Sequence, residues 1–64
     1  MTEKEVYWID MCKRRKEEFV ITVDNDAVFV TDLISGDCVF EFNHFGWQLA
    51  LDLLLLLGCN AEEA

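Results

Sequence analysis

The fold turns on residues 17–45, "EEFVITVDNDAVFVTDLISGDCVFEFNHF". β-branched and aromatic residues gather there in three runs, 18–23, 27–34 and 37–43, interrupted by "DND" and "SG". Such runs suit a pleated, half-buried surface and the interruptions are turn compositions, so the stretch reads as consecutive antiparallel strands. Ser35-Gly36 fits a two-residue turn that needs positive φ, which sets Asp32 opposite Val39, Val30 opposite Glu41 and Phe29 opposite Phe42. A three-residue loop, Asp24-Asn25-Asp26, suits the first hairpin, with Asn25 or Asp26 accepting the left-handed conformation. That choice puts Phe19, Ile21 and Val23 on one face with Phe29, Leu33, Cys38, Phe40 and Phe42; a one-residue slip would reverse a whole strand. The opposite face then carries Glu18, Val20, Thr22, Val28, Val30, Asp32, Val39 and Glu41.

The flanks complete the architecture. Asn43 or His44 can cap a helix that begins near Phe45, and Gly58 stands where a left-handed residue ends one. The first segment has two readings. "TEKE" matches a capping box in which Thr2 caps and Glu5 reaches back, giving a helix from Glu3 to about Arg15 with Val6, Ile9 and Lys13 on one stripe and Trp8 and Cys12 beside it. "EVYWIDMC" is also rich in strand formers, with "KRRKEE" as a hairpin loop, and the strand is preferred. The chain has no repeat and no Gly/Pro-rich linker. The expected fold is α+β: one domain over residues 1–64, an antiparallel meander of three or four strands, and one C-terminal helix across the face bearing Phe29, Phe40 and Phe42.

That helix poses a packing problem. Between residues 45 and 58 the polar side chains are Gln48 and Asp52, four apart and so on one narrow face, while leucine surrounds the rest. A membrane span needs about 20 apolar residues, so the segment is too short to cross a bilayer. A helix apolar almost all round must be covered on more than one side. Either the N-terminal segment covers the second side, or another molecule does. Leu51, Leu54 and Leu55 cannot all turn inward with Leu49, Leu53 and Leu56, which makes the first three candidates for self-association as a homodimer.

Little points to catalysis. Cys12, Cys38 and Cys59 are odd in number and widely spaced, unlike a secreted disulfide framework, and the charged start "MTEKEVYW" has no signal-peptide core; free thiols in the cytoplasm are expected. With His44 these cysteines could form a Cys₃His zinc site, but no CxxC pair pre-organises two ligands, so no metal and no cofactor are expected. A His44–Cys pair lacks an orienting group and an oxyanion hole. Asp24 and Asp26 are turn formers before they are acid–base catalysts. No enzyme activity is expected.

Charge is the strongest signal. The net charge is −8, and all five basic residues lie within the first 16 positions: Lys4, Lys13, Arg14, Arg15 and Lys16. From Glu17 onward there are ten carboxylates and no Lys or Arg, yet a hydrophobic content of 53% argues against disorder. "KRRK" is outnumbered by neighbouring acids, so direct nucleic-acid binding is not expected. Uncompensated carboxylates on a sheet, about 5–7 Å apart across neighbouring strands, can present a phosphate-like field to a basic groove. With the compact pattern "FVITVDNDAVFV…CVFEFNHFGWQLALDLLLLL", the chain resembles small acidic phage-encoded inhibitors, the anti-CRISPR proteins and other DNA mimics. That resemblance implies a partner whose basic channel holds guide RNA or target DNA. The expected function is inhibition by occupying a basic nucleic-acid-binding groove through Asp24, Asp26, Asp32, Asp37 and Glu41. The alternatives are a small homo-oligomeric or accessory subunit joined through the leucine helix, and an antitoxin-like neutraliser of a basic toxin.

Overall fold

The computed structural model describes residues 2–25, 27–42 and 46–63. The elements run α1 (Glu3–Arg14), β1 (Phe19–Asp24), β2 (Ala27–Asp32), β3 (Cys38–Phe42), α2 (Trp47–Leu56) and β4 (Ala61–Glu63). The class is α+β, but the sheet is mixed, and there are two helices where one was expected. Its order is β3-β2-β1-β4, with β1–β2 and β2–β3 antiparallel and β4 parallel to β1.

The N-terminal segment is a helix, which corrects the preferred strand reading. The capping box decides it: the Thr2 hydroxyl accepts from the Glu5 amide (3.2 Å), and the Glu5 carboxylate accepts from the Thr2 amide (2.7 Å). Lys13 and Arg14 complement the dipole in the last turn. The buried side of α1 is Glu5, Trp8, Ile9 and Cys12; Val6 and Lys13 of the anticipated stripe face solvent. Trp8 binds this helix to both ends of the sheet core, edge-on to Phe19 (5.6 Å) and stacked near Phe40 (6.1 Å).

Both hairpin registers differ from expectation by one residue. Asp24 pairs with Ala27, so the first loop is two residues long, and Asn25 is left-handed at φ 47°. In the second hairpin Val30 pairs with Phe40 and Val28 with Phe42, and a bulge shifts Thr31 to Cys38. The 33–37 loop is longer than Ser35-Gly36 alone. It closes through Asp32, whose Oδ1 accepts from the Ile34 amide (2.8 Å) and the Ser35 amide (3.4 Å), while its carbonyl accepts from Gly36 (2.7 Å).

The two slips cancel for the outer strands and reverse the middle one. Phe19, Ile21, Phe40 and Phe42 share a face as expected, but Val28 and Val30 join them, and Phe29 points away. Val28, Val30 and Phe42 are fully buried, and Ile21 is 1% exposed. Phe42, fully enclosed, is the deeper anchor; Phe40 is only half-buried.

The leucines divide between core and solvent. Ala50 and Leu54 are fully buried against this sheet face with Cys12 and Cys59; Trp47, Leu51 and Leu57 pack around them. Leu54 therefore belongs to the interior, not to a self-association surface. The helix begins after left-handed Gly46 (φ 112°); the caps anticipated at Asn43 and His44, and the start at Phe45, lie outside the described residues. Its end is a Schellman motif: the Cys59 amide donates to the Leu54 carbonyl and the Gly58 amide to Leu55, with Gly58 at φ 82°. The chain then enters β4, where the Ile21 amide donates to the Asn60 carbonyl. Among the described residues no helix is long and apolar enough to cross a membrane.

Candidate partner-binding surface

Both helices place their buried residues against the Ile21–Val30–Phe42 side of the sheet. Among the described residues neither helix packs its buried residues on the other side, where Val20 is buried (7%) and Thr22, Phe29 and Thr31 are half-buried. Alternation along the strands puts Val20, Thr22 and Asp24 of β1, Ala27, Phe29 and Thr31 of β2, Glu41 of β3 and Glu62 of β4 on that open side. One cross-strand row runs Glu41–Phe29–Thr22–Glu62, an aromatic and a hydroxyl between two carboxylates.

Asp24, Glu41 and Glu62 are all exposed. The ion pairs of the described residues, Arg14–Asp10 (3.0 Å) and Arg15–Glu18 (3.7 Å), lie at the far end of α1 and in the turn after it, and neither engages this face. With a strand spacing of about 4.8 Å and a rise of about 3.4 Å per residue, Asp24 and Glu62 stand about 8 Å apart, Asp24 and Glu41 about 12 Å, and Glu41 and Glu62 about 14 Å. These separations exceed the anticipated spacing between neighbouring strands. The face is suited to meet separate cationic side chains flanking an apolar contact; its carboxylates do not reproduce the spacing of successive phosphates.

The anticipated site residues have diverse fates. Asp24 and Glu41 share the open face, and Asp37 is exposed in the loop leading into β3. Asp32 is partly buried and committed to that loop's amides. Asp26 lies outside the described residues. Glu62 was missed because "AEE" near the terminus has little strand propensity; only the parallel pairing with β1 positions it. On α2, Leu51 is half-buried, whereas Leu55 is 51% exposed beside Leu49 (56%) and Leu56 (83%).

The four basic residues 13–16 line an open pocket with Glu17 and Glu18, but each has a local task. Lys13 and Arg14 serve the α1 terminus, Arg14 and Arg15 are ion-paired, and the Lys16 ammonium lies 3.1 Å from where a Cβ on Gly58 would stand, beside the end of α2.

Two of the three cysteines come together: Cys12 and Cys59 are buried in the same core, while Cys38 is exposed on β3. Burial, reinforced by the nearby Cys59, pushes the Cys12 thiol up to about 12; burial also raises Cys59, with Lys16 opposing. Among the described residues no cluster of three or more His, Cys, Asp or Glu is placed to hold a metal ion, and His44 lies outside them. Comparison with known protein families, curated proteins and solved structures finds no match to this chain.

Proposed function

We propose that this protein is an inhibitory binding module that occupies a basic nucleic-acid-binding groove of a partner, with the open sheet face as the contact. The observation that supports it is a single one: Asp24, Glu41 and Glu62 are exposed and outside every ion pair of the described residues, on the sheet face opposite the helices, around half-buried Phe29. A surface needing charge only for solubility would intersperse both signs, and no Lys or Arg follows position 16. Binding to a groove built to hold phosphates would exchange its counterions for carboxylates and be strongly salt-dependent. Phe29 supplies the apolar centre, and the carboxylates govern encounter and register.

The test is charge reversal. Glu41→Lys with Glu62→Lys, both at exposed sites, leaves thermal unfolding near the parent's and weakens capture of the partner tenfold or more at low salt. Asp32→Lys is unsuitable, because it removes the loop cap. Capture by the double variant at parental strength, unaffected by salt, would assign binding elsewhere. The second reading, a subunit joined through α2, draws on Leu49, Leu55 and Leu56, each more than half exposed.

A further inference from the structure

We infer that the outer edge of β3 pairs with an extended segment of the partner in which lysine or arginine alternates with apolar residues. This deepens, and rests on, the reading of the acidic face.

The sheet order leaves two borders, β3 and β4. β4 is three residues long and carries Glu62 and Glu63, a short charged edge of the kind that resists pairing. β3 is five residues long, and among the described residues no strand pairs with its outer side. Its Phe40 carbonyl accepts a hydrogen bond from the exposed Cys38 thiol at 3.5 Å. A thiol is a weak donor, readily displaced by a strand amide. At the border the bulged Val39 is 37% exposed. Alternating side chains of an added strand would find this apolar surface beside them.

Charge selects the occupant. Asp37 and Glu41 flank the edge, both exposed, and no cation follows position 16. A second copy would bring −8 against −8 and set two acidic edges together. A basic strand continues the two-sided character of the sheet instead. Its cations lie on the Glu41 side, and its apolar residues lie beside half-buried Phe40 on the helix side.

The test uses two ten-residue peptides of equal charge, one alternating lysine with valine and one alternating lysine with glycine. Amide hydrogen exchange of the whole protein is followed with each. The lysine–valine peptide is expected to slow exchange of amides within 39–42 at least tenfold and to bind at least tenfold more tightly than the lysine–glycine peptide. Alkylating Cys38 with N-ethylmaleimide, the buried Cys12 and Cys59 being protected, abolishes that protection; Cys38→Ser binds normally and is insensitive to the reagent. Equal, salt-sensitive binding of both peptides without β3 protection would overturn strand addition while leaving the acidic-face reading standing. Binding of neither would overturn both. Protection of β3 that grows with protein concentration and needs no peptide would assign the edge to a second copy and overturn the inference.

Discussion

Cys12 stands on the buried side of α1 at 1% exposure, where burial, with Cys59 nearby, pushes its thiol up to about 12. The folded protein therefore keeps a proton that the unfolded chain releases near pH 9.0. This contribution to stability is complete below that point and lost as pH rises toward about 12, by at most about 1.4 kcal/mol per pH unit from the one group. Urea unfolding at intervals from pH 8 to 11 should show the decline, and Cys12→Ala, although less stable overall, should show a shallower one. Identical slopes would contradict the packing assigned to Cys12. At this scale part was legible in the sequence: the Gly58 stop, Asn25 as one of two candidates for the left-handed position, and the Thr2–Glu5 box within the less favoured helix reading all follow from local chemistry. Asp32 was not, because a carboxylate that caps its own loop and one that meets a partner are the same letter until the loop length is known.

Among the elements, the middle strand separates sequence reading from structure most sharply. β2 reads "AVFVTD", and either the Val28/Val30 set or Phe29 could face inward. Propensity prefers to bury the aromatic, but the two-residue loop at 25–26 and the bulge in β3 fix the pairing, and turn geometry outweighs residue hydrophobicity. Phe42→Ala should accordingly destabilise the fold by about 3–5 kcal/mol, enough to unfold a domain of this size, while Phe29→Ser costs less than about 1.5 kcal/mol. Chemical denaturation of the two variants checks this, and a reversed order would restore the other register. The N-terminal helix could be read only as an alternative, since the same residues suit a strand and the cap alone tips the balance. β4 was invisible, because a three-residue parallel strand depends on the docked position of α2 and not on its own composition.

For the whole molecule, the distribution of leucine and charge sets the available interactions. α1 occupies the second side of α2 that the sheet leaves bare, which the sequence offered as one of two solutions. The expected division of the leucines holds in part: Leu51 and Leu54 face the core while Leu49 and Leu56 do not, but Leu55, grouped with the first two, is 51% exposed, and Leu53, grouped with the others, is half-buried. With the outward side interrupted by Asp52 and Gln48, both exposed, the isolated protein should scatter light as a monomer at micromolar concentration. A stable dimer dispersed by Leu56→Asp would instead establish α2 as an interface.

The central claim, that the acidic open face stands in for nucleic acid, is tested most directly by competition. The protein is immobilised, bacterial lysate is passed over it at low salt, and bound proteins are challenged with duplex DNA. The account predicts that a nucleic-acid-binding protein is released by the DNA and is not captured at all by the Glu41→Lys, Glu62→Lys variant. Retention of the same partner by both proteins, undisturbed by DNA, would contradict it.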